Sequence, residues 1–255
     1  MRLDKYLSLA QIGTRKKVKQ YIYEGDVCVN GAVVKIPALE ISEEADEVRF
    51  RGNVVDGTEK VYYMFNKPQG CITAKNDPKH KTVFDYFKNL DTTGLFAVGR
   101  LDRDTEGLLL VTNDGELNHR LMDPGHHVEK TYYFWVFGEV SEAGIEAIQR
   151  GVDIGETELT APARIKIVKT GRYTDLRNEM EMDGCYVVKR NLHRQEVTAG
   201  YLTISEGKKH QVKRMMRSIG CYVVYLRRVS IGDLKLDEDL VKGAYRKISD
   251  ITEVI

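Results

Sequence analysis

The stretch Gly99-Arg100-Leu101-Asp102-Arg103-Asp104-Thr105-Glu106-Gly107 sets two arginines and three carboxylates between two glycines. Apolar runs close on it from both sides, Leu95-Phe96-Ala97-Val98 before and Leu108-Leu109-Leu110-Val111 after. The pattern predicts two buried strands joined by a charged loop. A carboxylate fixed at a strand end and flanked by cations stays ionised, and the arginines beside it suit a phosphate-bearing substrate.

The chain has 255 residues, a formal net charge of +1 and 42% hydrophobic residues. That length leaves room for one large domain or two unequal ones with a sizeable core. No apolar run reaches the ~18 residues that a membrane span needs. The first ten residues, MRLDKYLSLA, carry charges and lack the apolar block of a signal peptide, so a cytoplasmic protein is expected. Cys28, Cys71, Cys185 and Cys221 form no CxxC pair and read as reduced thiols. His119, His126 and His127 match no metal-ligand spacing, so no metal site is expected.

The near-neutral total hides a basic cluster. Arg2, Lys5, Arg15, Lys16, Lys17 and Lys19 crowd the first twenty residues against Asp4 alone, which suggests nucleic acid. Residues 3–10 and 14–24 have helical apolar spacing, with Gly13 between them and Thr14 as N-cap. Asn30-Gly31 between short apolar alternations predicts a hairpin. Two helices and a hairpin make a unit too small for much core, with a boundary placed at 58/59.

Beyond it, strands are expected at Val61–Asn66, Leu95–Val98, Leu108–Val111, Thr131–Phe137, Ala163–Val168, Cys185–Lys189 and Gly200–Ser205. Helices are expected at Glu116–Met122, Ser141–Arg150 and Lys208–Ile219, and 170–195 as a polar loop or hairpin excursion. Successive strands outnumber helices, so the fold class is α+β with a mostly antiparallel mixed sheet flanked by helices. Four segments accompany the charged loop: Asn66-Lys67-Pro68-Gln69-Gly70 at a turn, His126–Tyr132 leading into a strand, Gly207–Arg214 opening a helix, and Arg227–Leu234 with a strand. Lys130 and Tyr132, two apart on a strand, share a face, which suits a stacked base beside a phosphate. Lys209, Lys213 and Arg217 recur at i, i+4, i+8 and would form a basic helical ridge.

RLDKYLSLA, GTRKKVKQYI and GDVCVNG resemble the S4 RNA-binding domain. By that resemblance Arg2, Arg15, Lys16 and Lys19 contact RNA phosphates, through cations that give affinity with little sequence information. NKPQG, GRLDRDTEGLLLVTNDG, HHVEKTY, EGKKHQVKRM and RVSIGDLKL, in this order, resemble the RsuA-type branch of the RNA pseudouridine synthases across essentially the whole chain. The resemblance implies residues 1–58 as an S4-like domain and 59–255 as a catalytic domain. It implies isomerisation of a uridine in ribosomal RNA, with small-subunit (16S) rRNA as the expected partner and no cofactor. The sequence shows no exposed apolar stripe or coiled-coil repeat, so a monomer is the default expectation.

By family position Asp102 is the catalytic carboxylate, Tyr132 the stacking tyrosine and Lys213 the cation beside Asp102. A carboxylate–ammonium pair at ~4 Å contributes on the order of 4 kcal/mol before desolvation. Arg100 and Leu101 border the flipped nucleotide, Lys130 joins the substrate site, Ile231 meets the uracil face, and Lys67 and Pro68 shape the cleft wall. Lys209, Arg214 and Arg217 carry RNA contacts. Three other readings stand beside this one: a large-subunit synthase, a non-catalytic rRNA assembly factor, and a glycosidase using Asp102 and Asp104 as paired carboxylates.

Overall fold

The computed structural model describes residues 1–10, 12–55, 59–175, 195–249 and Ile251. These divide into two compact units, Met1–Val61 with Asn89–Phe96, and Tyr62–Lys88 with Ala97–Ile255.

In the first unit, helices α1 (Leu3–Leu9) and α2 (Arg15–Glu24) precede strands β1 (Val27–Val29), β2 (Ala32–Val33), β3 (Val48–Phe50) and β4 (Asn53–Val54), paired in the order β2-β1-β3-β4. The Thr14 side chain accepts from Lys17 N–H and caps α2, as its position in sequence suggests. Asn30 and Gly31 both take positive φ, 51° and 79°, the paired left-handed turn that an Asn-Gly hairpin requires. Contrary to the expectation of little core, Leu3, Leu7, Val18, Ile22, Val27, Ile41 and Val48 are buried together, and the Tyr6 hydroxyl donates to Val55 O at 2.7 Å. The closing segment, the acidic run 40–47 and the strand-like Glu47–Phe50, supplies Ile41 and Val48 to this core, and Val55 follows.

Asp4 is fully buried in this unit and collects three of the basic residues. Arg2 donates two hydrogen bonds to it at 3.1 Å, Arg15 lies at 3.2 Å and Lys19 at 3.8 Å. Lys16 faces solvent. Burial alone would raise the Asp4 carboxyl, but hydrogen bonds from Arg2 and Arg15 outweigh it and hold Asp4 below its ordinary value.

The second unit is built on one nine-stranded sheet. Its main path is β13 (Tyr245–Ile248), β5 (Tyr62–Lys67), β7 (Glu106–Thr112), β11 (Tyr222–Ile231), β8 (Lys130–Phe137), β10 (Glu196–Ile204), β9 (Arg164–Arg172). Every pair on this path is antiparallel except β7 with β11, so the α+β, mostly antiparallel expectation holds. Strand β12 (Leu234–Lys235) hairpins back onto β11. Helix α3 (Gly115–Met122) is capped by Asp114, which accepts from the N–H groups of Glu116 and Leu117. Helix α4 (Glu142–Arg150) is capped by Ser141, and α5 spans Gln211–Ser218.

Apolar residues gather in separate layers around this sheet. Met64, Leu108, Leu110, Leu117, Leu121 and Ile231 form one cluster; Phe134, Val136, Leu202, Val212, Met215 and Met216 form another. The continuous run 106–112 is buried at every position, as a central strand needs.

Several expectations shift. The run Leu95–Val98 gives only a two-residue strand, β6 (Phe96–Ala97), after which Val98 N–H donates to Leu110 O at 2.8 Å. Strand β13 carries no strong alternation and was missed. Helix α5 begins at Gln211, not Lys208, because His210 sits at φ 52°, which ends any helix running through it. The ridge of Lys209, Lys213 and Arg217 therefore does not form as one helical stripe. Strand β9 reaches Arg172, into the stretch read as an excursion. The expected strand Cys185–Lys189 and most of that excursion lie outside the described residues.

Gly107 marks where β7 and β11 run parallel, with Arg228 opposite it. Its φ is 98°, and a Cβ there would overlap the Arg228 carbonyl oxygen. Gly107→Ala should destabilise the protein by about 2–4 kcal/mol, read as a shifted urea midpoint. In the first unit, Asp4→Asn should cost about 2 kcal/mol at neutral pH. Because Asp4 titrates below its ordinary value of 3.8, its contribution is present above that pH and fades as pH falls through the depressed value. Amide exchange of α1 and α2 should show this acid loss in the wild type and not in Asp4→Asn.

Candidate active site

The loop between Val98 and β7 is held from beneath by one lysine. Lys67 ends β5 and is completely buried. Its ammonium donates to Thr105 O at 2.9 Å, Asp102 O at 3.0 Å and Pro68 O at 3.1 Å. Burial lowers its proton affinity, and the nearby Cys71, Asp104, Glu106 and Asp102 partly restore it. Thr73 adds a second clamp, donating to Leu101 O at 2.8 Å and accepting from Leu101 N–H at 3.1 Å. Gly70 N–H donates to Arg103 O at 2.9 Å, and Arg103 Nε returns a bond to Gly70 O at 3.2 Å. The Asn66–Gly70 turn is thus the bed on which the charged loop lies. It is not a cleft wall: neither Lys67 nor Pro68 lines the cavity above. An ammonium already saturated by three carbonyls has no donor left for a substrate.

That cavity encloses about 940 Å³ in the second unit. Its lining includes Arg100, Leu101, Asp102, Lys130, Tyr132, Lys209, His210, Lys213 and Arg228. The Asp102 carboxylate meets two groups from the start of α5. Lys213 Nζ donates to its Oδ2 at 3.0 Å, and His210 Nε2 lies 3.4 Å from its Oδ1. Asp104 shares the same ammonium at 2.5 Å. Burial pulls Lys213 down, but its hydrogen bonds to Asp104 and Asp102 outweigh that, so it holds its proton more firmly than an ordinary lysine. Asp102 is about a quarter exposed and opens onto the cavity. Glu106, the third carboxylate of the loop, is turned away. It is buried, accepting from the Tyr225 hydroxyl at 2.9 Å and pairing with Lys242 at 2.9 Å.

The structure therefore brings together Asp102, Tyr132, Lys213, Arg100, Leu101, Lys130 and Lys209. It places others elsewhere. Ile231 is buried in the Leu108–Leu117 layer and does not reach the cavity, because the bulge between Arg228 and Ser230 shifts the side-chain alternation of β11. Arg214 is committed to Glu156, at 2.7 Å, and to Ile154 O. Arg217 is exposed in the last turn of α5 and lies off the cavity lining. Sequence reasoning missed His210 and Arg228. The left-handed conformation that swings His210 toward Asp102 has no marker in a single sequence. Arg228 stands within a quoted motif, Arg227–Leu234, that reads only as cations on a strand. Of His119, His126 and His127, whose spacing suggested no metal set, His119 and His126 lie with Asp123 so that their ligand atoms are within 4.8 Å of one another.

Residues 61–218 match the RNA pseudouridylate synthase family and residues 1–48 the S4 domain. An RNA pseudouridine synthase of Bacillus subtilis, YtzG, is 38% identical over 98% of this chain and 95% of its own length. The ribosomal small subunit pseudouridine synthase A of Escherichia coli is 36% identical over 98% of this chain and 97% of its own; that of Haemophilus influenzae is 37% identical over 98% and 95%. A crystal structure of a pseudouridylate synthase superposes with a TM-score of 0.64 at 36% identity, covering 100% of this chain and 98% of that one.

Lys67→Met should leave three main-chain carbonyls, two of them in the loop, without their donor and cost on the order of 3 kcal/mol, read by denaturant unfolding. With the loop loosened, the Asp102 carboxylate should lose its fixed distance from Lys213, seen as a changed Lys213 side-chain NMR shift. With the fold, the loop and the matches in place, the chain belongs to the RNA pseudouridylate synthase family and carries an S4 domain at its N-terminal end.

Proposed function

We propose that this protein converts one uridine of small-subunit (16S) ribosomal RNA to pseudouridine, with Asp102 as the residue that starts glycosidic cleavage. One observation carries the reading: Asp102 opens onto the cavity that Tyr132 lines, with Lys213 Nζ 3.0 Å from its carboxylate. The small-subunit assignment is supported by likeness to small-subunit synthases along nearly the whole chain.

A uridine must leave its helix to reach such a cavity. Tyr132 stacks on the extruded base, worth ~1–3 kcal/mol and comparable to the cost of extrusion. Asp102, kept anionic by Lys213, acts at the glycosidic centre. Arg100 and Lys209, exposed on the cavity lining, take the flanking phosphates. Residues 1–58 serve as the RNA-holding domain and 59–255 as the catalytic one. Arg2, Arg15, Lys16 and Lys19 supply counterion-releasing contacts, three of them oriented by Asp4. The protein works as a monomer in the cytoplasm. Among the described residues no helix is long and apolar enough to cross a membrane.

The glycosidase alternative finds less support. Asp102 and Asp104 converge on a single ammonium, whereas paired-carboxylate hydrolysis needs an acid and a nucleophile in different environments.

Tritium release from 16S rRNA carrying 5-tritiated uridine tests the activity. Wild type should release one equivalent per rRNA, and Asp102→Asn should fall by ~10³-fold or more with RNA affinity kept. Release from 23S rRNA alone would move the assignment to the large subunit, and tight binding without release would favour an assembly factor. Tyr132→Phe should retain more activity than Tyr132→Ala; equal losses would shift the role of Tyr132 from its ring to its hydroxyl.

A further inference from the structure

Every carboxylate on the cavity lining already has a partner. Asp102 and Asp104 hold Lys213, while Glu206 holds Gln211 Nε2 at 2.6 Å, Ala161 N–H at 2.9 Å and Lys208 at 3.6 Å. Two buried cations on the same lining have none. Lys130 is 4% exposed, Arg228 is 2% exposed, and neither forms an ion pair among the described residues. Arg228 uses Nε on Leu108 O at 2.8 Å, while its Nη2 is buried without a hydrogen-bond partner. No hydrogen bond of the Lys130 ammonium exists among the described residues either. Two desolvated cations with no anion are costly, and the cost is recovered when an anion arrives.

Their placement indicates which anion. Lys130 shares a strand face with Tyr132, and Arg228 stands directly across the sheet from Tyr132. The cations suited to phosphate, Arg100 and Lys209, are exposed. A phosphodiester is bulky and well hydrated and stays at such a surface, whereas a flat base that stacks on Tyr132 reaches inward. Resting on the proposed function, we propose that Lys130 and Arg228 are catalytic residues that stabilise the negative charge on uracil when it is detached from its ribose.

Breaking the C1′–N1 bond leaves its electron pair on N1, and the charge spreads over the two carbonyl oxygens of uracil. Either C1′ bonds to the Asp102 carboxylate, which leaves again as C5 attacks, or Asp102 removes the C2′ proton to give a glycal and returns it as C5 bonds to C1′. The base rotates within the site, C5 bonds to C1′, the C5 proton leaves, and N1 takes up a proton. Atoms and charge balance without a co-reactant. Donors fixed in advance where charge develops lower the barrier without reorganising. Burial and the charge of Arg228 both depress the proton affinity of Lys130, which is the condition of a cation awaiting an anion.

The test uses the full chain, 16S rRNA, and single-turnover kinetics for wild type, Lys130→Met, Arg228→Gln and Arg228→Lys. The same RNA with 5-fluorouridine at the target position serves as a second substrate, because fluorine stabilises the departing anion. The proposal expects Lys130→Met and Arg228→Gln to slow cleavage of the N-glycoside on the order of 10²–10³-fold with RNA affinity within about twofold. It expects Arg228→Lys to keep more rate than Arg228→Gln, and the fluoro substrate to recover much of each loss. Binding of 5-nitrouracil, an anion at neutral pH, should weaken about tenfold in Lys130→Met while binding of neutral uracil changes little; this readout stands even if a variant turns over nothing. A weaker RNA affinity and a shallower salt dependence with unchanged saturating rate would make these residues phosphate contacts and overturn the proposal. Equal losses on both substrates, with unaltered preference for the anionic base, would also overturn it. A wild type that isomerises no uridine would instead fail the underlying activity.

Discussion

One buried ammonium holds the site in place. Lys67 has no contact with solvent, and its three hydrogen bonds all go to main-chain carbonyls, two of them at Asp102 and Thr105. A loop carrying two arginines and three carboxylates would ordinarily spread into water. Here its backbone is pinned to the end of a central strand, so its side chains have one arrangement open to them. The desolvation cost of that lysine is met by carbonyls, not by a counterion. Its charge also reaches the carboxylates above it without occupying their oxygens.

From this anchor the rest is a division of labour among the charges. Glu106 turns inward to Tyr225 and Lys242, Asp104 joins Lys213, and Asp102 keeps a face on the cavity. The parallel seam between β7 and β11 brings Arg228 close behind, which only a glycine at 107 permits. Three acidic residues of one motif thereby divide between the cavity and the interior, because the loop turns before β7 begins at Glu106.

Much of this could be read from the chain. The cap at Thr14, the helices after Asp114 and Ser141, the Asn30-Gly31 turn, and the apolar run of β7 rest on local signals, and each formed within a residue or so of where it was expected. Lys213, which reaches Asp102 from 111 residues away, was legible only through a resemblance to relatives, since spacing carries no information at that range. What stayed hidden depended on tertiary context. A left-handed residue at His210 moved a helix start, a bulge in β11 turned Ile231 away, and a lysine expected in the cleft wall is fully buried beneath the loop. Asp4 was similar: a single acid among basic residues looks outnumbered until its burial makes it their common centre.

The strand that carries Lys67 is closed on its outer side by β13, which pairs Tyr62–Phe65 with Ile248–Tyr245, and Gly243 and Ala244 bond the main chain of Asn66. The platform for the charged loop thus depends on a strand that lies far downstream of it in the chain, whereas α1, α2 and the first four strands have a core of their own within the first 55 residues. During synthesis the basic unit can mature well before the cavity does. The first unit can therefore form before the charged loop has its platform, which sets an order of events for co-translational folding.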